Sequence, residues 1–194
     1  MFRGTFTALV TPFRSDGALD EDALVRLVER QLKSGIDGLV LFGTTGEEAS
    51  LTLDERRRAI ELIQKRAEGQ MVVVAGAFDN VTERAVTLAR EMDWLGVDAI
   101  LSVVPYYSRP NQAGIIEHFR RIADAVDSPV ILSNAPGRVA TGLEAESYRG
   151  ALPLAAGAAR RRQMRGGEGR AESTRPLEER LRQAVVARRS LRLT

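Results

Sequence analysis

The chain has 194 residues, of which 44% are hydrophobic, a proportion typical of a globular protein with one or at most two domains. It contains no cysteine and a single histidine, His118, which excludes disulfides, thiolate metal sites, cysteine catalysis and any site built from several histidines. No long apolar segment follows the first residues, so we expect neither a signal peptide nor a membrane anchor. The expectation is a cytoplasmic protein without a metal or cofactor.

The net charge of +2 conceals two regions of opposite charge. Residues 1–148 carry 16 lysines and arginines against 22 acidic residues, whereas residues 149–194 carry 12 arginines against 4 glutamates. We therefore divide the chain into a main domain, 1–148, and an Arg-, Ala- and Gly-rich tail, 149–194. The tail has no aromatic residue that could stack on a base, so we do not expect it to bind nucleic acid.

Strands and helices alternate along the main domain with a spacing of about 30 residues. Apolar runs predict strands at 5–12, 38–42, 71–76, 98–104 and 129–132. Apolar residues at helical spacing predict helices over about 20–34, 53–67, 80–94 and 112–126. This alternation requires parallel βαβ units, in either a doubly wound sheet or a (β/α)8 barrel.

The second strand leads into Gly43-Thr44-Thr45-Gly46-Glu47, a turn of small residues with two adjacent hydroxyl groups. Turns at the carboxyl ends of parallel strands bind small anions because their backbone N–H groups can donate hydrogen bonds. We interpret this turn as the floor of a carboxylate-binding site, the alternative being an ordinary turn without a ligand. Glu47 is expected to cap the helix that follows.

Two observations favour the barrel over the doubly wound sheet. No Gly-x-Gly-x-x-Gly motif follows the first strand, as a dinucleotide-binding sheet would require. Polar residues collect instead after strands two, four and five, at one end of the sheet. The predicted fold is an α/β, incomplete (β/α)8 TIM barrel of about five βα units, followed by a tail that is irregular or, over 176–192, helical.

Three segments at the carboxyl ends of these strands together resemble the dihydrodipicolinate synthase (4-hydroxy-tetrahydrodipicolinate synthase) family of pyruvate-dependent class I aldolases. They are Gly-Thr-Thr-Gly-Glu at 43–47, Pro-Tyr-Tyr at 105–107 and Asn-Ala-Pro-Gly-Arg at 134–138, and the opening segment to Pro12 resembles the family's first strand. The resemblance covers residues 1–148, roughly the first half of a family member. It implies a lyase of lysine biosynthesis via diaminopimelate, working as a homo-oligomer (a dimer or tetramer). In this chemistry a lysine forms a Schiff base with pyruvate, and the resulting enamine attacks aspartate semialdehyde.

The resemblance also assigns roles to four residues. Thr45 and the backbone of its turn would hold the carboxylate of pyruvate, and Thr44 and Tyr107 would belong to a proton relay, with Tyr107 reaching into a neighbouring subunit. Arg138 would bind the carboxylate of the second substrate with its forked donors, and it favours the synthase over an N-acetylneuraminate lyase. The structural alternatives are hydroxyls that only satisfy the turn, a tyrosine that only packs at an interface and a solvated arginine. His118 is expected on a helix surface.

The chain departs from the family in three respects. Ser133 occupies the position of the relay tyrosine, and a serine hydroxyl is shorter and far less acidic than a phenol. No lysine follows Lys65, and Arg161 stands where the register would place the Schiff-base lysine. After residue 148 no segment qualifies as strands six to eight. These departures predict an inactive chain from a truncated or frameshifted gene, the alternative being a divergent C-terminal segment. Another pyruvate lyase and a non-catalytic binding or regulatory paralogue remain alternative functions.

Overall fold

The computed structural model describes residues 2–147, so the predicted tail, its helix at 176–192 and Arg161 lie outside the described residues. Strands and helices alternate in the predicted order. They are β1 (Phe6–Ala8), α1 (Glu21–Lys33), β2 (Gly38–Leu41), α2 (Leu53–Ala67), β3 (Val72–Gly76), α3 (Thr82–Trp94), β4 (Ala99–Val103), α4 (Gln112–Ala125), β5 (Val130–Ser133) and α5 (Pro136–Val139). Two short 3-10 helices, Thr44–Gly46 and Glu48–Ser50, connect β2 to α2.

The five strands form one parallel sheet in which each strand pairs with the next along the chain, in the order β1-β2-β3-β4-β5. The register places Val40 beside Val74 and Leu101 beside Ile131. A doubly wound sheet reverses its strand order near the middle, whereas a barrel adds each new strand to the same edge. The sequential order within residues 2–147 therefore agrees with the barrel and not with the doubly wound alternative.

Helices α1, α2 and α4 begin at side chains that accept hydrogen bonds from free backbone N–H groups. Asp20 caps α1 and Asn111 caps α4, each accepting from the N–H group three residues later. Thr52 and Glu55 form a reciprocal capping box at the start of α2. Each cap of this kind stabilises its helix by about 1 kcal/mol, so these polar residues fix where the helices begin.

The hydrophobic core lies mainly between the sheet and the helices. Its largest cluster includes Leu39, Ile60, Ile63, Met92 and Ile100, none of which is more than 1% exposed. A second cluster lies around the carboxyl end of β4 and comprises Val103, Val104, Ile115, Phe119, Val139 and Leu143. This second cluster supports the loops that follow β4 and β5.

The first strand is shorter than predicted. The apolar run suggested a strand over 5–12, but only Phe6–Ala8 form β1. Leu9 still donates its N–H to the Val40 carbonyl at 3.0 Å. Beyond it, the Thr11 side chain bonds to the turn after β2, and Pro12 has no N–H to donate to a ladder. The residues after Leu9 therefore leave the sheet, and Thr11 forms a hydrogen bond with the turn that follows β2.

His118 is buried, and its predicted position on the helix surface is wrong. Its side chain is only 2% exposed, and its Nδ1 lies 3.0 Å from the Thr82 hydroxyl oxygen at the start of α3. The reason is its place in α4: it lies three residues after Ile115 and four before Ile122, which both face the core. Burial lowers the pKa of His118 to about 4, against the smaller opposing effects of the Val103 carbonyl and the Asp79 carboxylate.

Glu47 does not cap α2, contrary to the prediction. The cap is Thr52, five residues later, because the second 3-10 helix separates Glu47 from the start of α2. Glu47 instead has a left-handed backbone with φ of 50° and an exposed side chain.

A bilayer span needs a long apolar helix. None of the helices between residues 2 and 147 is both long enough and apolar enough to serve as one.

Candidate functional site

The segments that follow β2, β4 and β5 lie along one edge of the sheet. All neighbouring strands are parallel, so their carboxyl ends point the same way. In α/β proteins this edge is where the connecting loops bind ligands. We call residues 43–47 the β2 turn, residues 104–109 the β4 loop and residues 134–138 the β5 loop.

The β2 turn presents two backbone N–H groups that donate no hydrogen bond to any other described residue. These are the N–H groups of Thr44 and Thr45, whose side chains are also exposed. The groups that follow are paired: Gly46 donates to the Gly43 carbonyl at 3.0 Å and Glu47 to the Thr44 carbonyl at 3.3 Å. Adjacent unpaired N–H groups beside two hydroxyls form a concavity suited to a small anion such as a carboxylate.

Residues that follow β1 hold the β2 turn in place. The Thr11 hydroxyl donates a buried hydrogen bond of 2.7 Å to the Gly46 carbonyl. A side chain at Gly46 would place its Cβ 3.0 Å from the Leu9 carbonyl oxygen, which is tighter than ordinary contact. Gly46 is therefore needed for the close approach between the two segments.

Tyr107 stands at the tip of a strained turn in the β4 loop. Its φ is 69°, and Ser108 donates its N–H to the Tyr106 carbonyl at 2.8 Å across it. This is the geometry of a three-residue γ-turn with positive φ, which is rare and costly for a residue with a side chain. The Tyr107 side chain is 90% exposed. The loop thus holds an aromatic side chain outward in an unfavourable backbone conformation.

Tyr106, beside it, points into a different environment. It packs against the second hydrophobic cluster, and burial raises the pKa of its hydroxyl. The Asp79 and Glu48 carboxylates act in the same direction, and the backbone of Asn80 partly offsets them. Tyr106 therefore stays protonated over a wide pH range.

The β5 loop is fastened by an amide side chain. Asn134 donates to the Leu143 carbonyl at 2.9 Å and accepts from the Leu143 N–H at 3.0 Å. Val139, at the end of α5, is buried in the second cluster, whereas Arg138 beside it is exposed. Ser133 is the last residue of β5 and is partly buried. The motif at 134–138 thus combines a structural residue, Asn134, with an arginine open to solvent.

The structure places the four predicted site residues at this edge of the sheet, all with exposed side chains. They are Thr44, Thr45, Tyr107 and Arg138. None of the four forms a side-chain hydrogen bond or ion pair with another within residues 2–147. Lys33 and Lys65 lie elsewhere, exposed on α1 and α2. Their roles at the site stay predictions, because shared position alone does not assign a function.

Sequence reasoning missed Arg56, which lies behind the β2 turn and is only 5% exposed. It falls in the charged run Asp-Glu-Arg-Arg-Arg at 54–58, which reads as a solvated helix surface. A signal was present: Arg56 lies four residues before Ile60 and seven before Ile63, so it shares their buried face. In the described part of the chain, no three His, Asp or Glu side chains are close enough together to hold a metal ion.

A model of the dihydrodipicolinate synthetase family matches residues 1–150. The 4-hydroxy-tetrahydrodipicolinate synthase of Phenylobacterium zucineum is 51% identical over 143 residues, which are 74% of this chain and 48% of that protein. The chain thus spans about half the length of the curated relatives it matches.

The solved structures that resemble this chain come from the same family as its sequence relatives. The dihydrodipicolinate synthase of Aquifex aeolicus matches with a TM-score of 0.75 and 39% identity, over 78% of this chain and 52% of that one. The chloride-inhibited dihydrodipicolinate synthase of Acinetobacter baumannii, complexed with pyruvate, matches with a TM-score of 0.76 and 36% identity, over 78% of this chain and 52% of that one. The predicted α/β class and its TIM-barrel type are confirmed for the matched residues.

Proposed function

The chain belongs to the dihydrodipicolinate synthetase family, and we propose that it keeps the family's site for the carboxylate of pyruvate without the lysine that forms the Schiff base. The observation that carries this proposal is the β2 turn, whose Thr44 and Thr45 N–H groups have no partner among residues 2–147 and whose hydroxyls are exposed. A carboxylate bound there would accept hydrogen bonds from both N–H groups and from the Thr45 hydroxyl.

The nucleophile is what this chain lacks. Imine formation needs an amine that burial or a neighbouring cation has activated. The 194 residues contain two lysines, Lys33 and Lys65, and both are exposed on outer helices. Arginine at 161 keeps its proton and forms no imine. In our proposal pyruvate therefore binds reversibly and is not converted to an enamine.

The proton relay is incomplete in the same way. Thr44 and Tyr107 supply two hydroxyl groups at the carboxyl edge, but Ser133 stands where the family resemblance implies the phenol of a relay tyrosine. An aliphatic hydroxyl has a pKa far above that of a phenol, so it is a poor general acid or base near neutral pH. We propose that Arg138 retains affinity for a second carboxylate, that of aspartate semialdehyde, because its guanidinium is exposed in the β5 loop.

The proposal separates binding from chemistry, and one pair of measurements tests both. Pyruvate is titrated into the 15N-labelled full chain, and we expect the Thr44 and Thr45 amide signals to shift in a saturable manner. Thr45→Val should bind pyruvate more weakly, because one hydroxyl donor is lost, so the amide signals should shift less at the same pyruvate concentration. A matched control is Thr87→Val, since the Thr87 hydroxyl bonds to the Glu83 carbonyl of its own helix, away from this edge.

The proposed absence of Schiff-base formation is tested with sodium borohydride in the presence of pyruvate. We expect mass spectrometry to show no adduct on this chain, while a Schiff-base aldolase treated in parallel gains mass stoichiometrically. A stoichiometric adduct on Lys33 or Lys65 would contradict the proposed loss of chemistry. Unshifted Thr44 and Thr45 signals at saturating pyruvate would contradict the proposed binding.

A further inference from the structure

The guanidinium of Arg56 is buried at a point where burial is costly. The side chain is 5% exposed, and its Nη1 has no hydrogen-bond partner among the described residues. Burial lowers the pKa of Arg56, and the Glu48 carboxylate opposes this effect only in part. A buried cation with an unused donor destabilises a protein unless its other contacts offset the free energy lost on burial. Its contacts therefore indicate what it does.

These contacts connect the two ends of the β2 turn. Nη2 donates a hydrogen bond to the carbonyl of Glu48, the residue that follows the turn. Cζ lies 5.7 Å from the ring centroid of Phe42, the residue that precedes the turn, which is within the range of a cation–π contact. One planar group on α2 thus holds both flanks of the segment that carries Thr44 and Thr45.

Phe42 itself is held in an unusual conformation. Its φ is 53°, although it is not a glycine, and its side chain is only 3% exposed. Its carbonyl packs against Gly76 of β3, where a Cβ atom would lie 2.0 Å from the Phe42 oxygen. The sheet therefore fixes the backbone of Phe42 from one side, and the guanidinium of Arg56 lies over its ring.

We propose that Arg56 is a positioning residue that holds the β2 turn in its anion-binding shape, by joining the Glu48 carbonyl to the ring of Phe42. The proposal rests on the proposed function, because it explains how the Thr44 and Thr45 N–H groups keep their orientation. Arg56 itself is not proposed to touch the ligand. Lysine should not replace it, since a compact ammonium group lacks the planar fork that can stack on a ring and donate sideways at once.

The test compares amide signals of the full 15N-labelled chain carrying Arg56→Lys or Arg56→Met with those of the unsubstituted chain. We expect the Thr44 and Thr45 signals to shift or broaden in both variants, while the signal of Val73, near the amino end of the central strand β3, stays in place. Pyruvate should bind at least tenfold more weakly to both. The matched control is Arg58→Met, because Arg58 lies on the same helix but is half exposed and pairs with Glu21.

A purely structural role would lower the melting temperature and leave the Thr44 and Thr45 signals of the folded protein unchanged, and that result would overturn the proposal. Full rescue of signals and binding by lysine would overturn it as well. If the variants at position 56 do not fold, Phe42→Leu removes the ring from beneath the guanidinium, and we expect the same displaced signals; unchanged signals would overturn the proposal. If the unsubstituted chain does not bind pyruvate, the amide comparison still decides the role of Arg56, and only the proposed function fails.

Discussion

The β2 turn and the β4 loop lie at the same edge of the sheet, yet the chain supports them in opposite ways. Thr11, Arg56 and Gly76 contact the β2 turn or the residues that flank it, each from a different element or segment. In the β4 loop the backbone of Tyr107 is strained, but its side chain is 90% exposed. Strain is kept where surrounding structure or function requires it. The comparison indicates that the β2 turn is held in place by contacts within the chain, whereas the Tyr107 side chain of the β4 loop is left uncovered by residues 2–147.

The largest effect is expected where Phe42, the residue that precedes the β2 turn, meets β3. Gly76→Ala would place a Cβ 2.0 Å from the Phe42 carbonyl oxygen and 2.7 Å from its carbon. Both atoms are backbone, so the contact can be relieved only by moving a strand end, at a cost of about 3 kcal/mol or more. Urea unfolding of the full chain measures this loss.

The matched control is Gly43→Ala, within the turn itself. A Cβ at Gly43 meets nothing within 4 Å, and its φ of −91° suits any residue. We expect its unfolding free energy to stay within about 0.5 kcal/mol of the unsubstituted value. If Gly76→Ala were equally neutral, the β2 turn would not be packed as tightly as the comparison requires.

The next largest effect is a loss of stability at low pH caused by the buried ring of His118. This residue lies on α4, which contributes to the second hydrophobic cluster that supports the β4 loop. Burial lowers the pKa of His118 to about 4, whereas an unfolded chain has the ordinary value of 6.5. Between these pH values the unfolded chain binds a proton that the folded chain does not, so stability is lost as the pH falls from 6.5 towards 4. The loss attributable to His118 is on the order of 3 kcal/mol.

Carboxylates titrate over the same range, so a variant must isolate the histidine. His118→Asn removes the titrating ring but keeps an amide that can bond to the Thr82 hydroxyl. We expect the difference in unfolding free energy between the two proteins to shrink as the pH falls from 7 to 4. Parallel pH profiles would mean that His118 is not buried as a neutral ring.

A smaller effect is expected from Thr11→Val, which removes the hydroxyl beneath the β2 turn and leaves the Gly46 carbonyl without this partner. An unsatisfied buried carbonyl costs about 1–3 kcal/mol, and valine has nearly the same shape as threonine. Thr87→Val, at an exposed position of α3, serves as the control and should change the unfolding free energy by less than about 0.5 kcal/mol. Equal effects of the two substitutions would show that the hydrogen bond to Gly46 contributes nothing specific.

The elements of the fold were predictable from local pattern, because helical and strand periodicities are properties of single segments. The start of α2 after Thr52 is an example, since its capping box is visible in the sequence. The early end of β1 was not predictable, because it depends on a bond between Thr11 and a turn 35 positions away.

The contacts that hold the candidate site residues in place were not predictable, and the roles of those residues stay predictions. The motifs at 43–47, 105–107 and 134–138 nominated Thr44, Thr45, Tyr107 and Arg138 as candidates, and their place after β2, β4 and β5 follows from the order of the strands. The positive φ of Phe42 and Tyr107 had no such signal, because sequence marks left-handed backbone reliably only at glycine and asparagine. Such conformations are imposed by tertiary contacts.

The smallest effect tests the β4 loop itself and has the opposite sign. Tyr107→Gly replaces a residue with φ of 69° by one that adopts this conformation freely. Relief of strain worth about 1–3 kcal/mol is partly offset by the greater entropy of glycine in the unfolded chain, so we expect a net stabilisation of about 1 kcal/mol. Tyr107→Ala is the control, because it removes the exposed ring but keeps a Cβ at the same φ, and it should be nearly neutral. If both substitutions destabilise the protein, and more strongly at higher protein concentration, the Tyr107 ring is already covered by a second molecule. If both destabilise it equally at all concentrations, the ring packs within its own chain, and the contrast between the β2 turn and the β4 loop is lost.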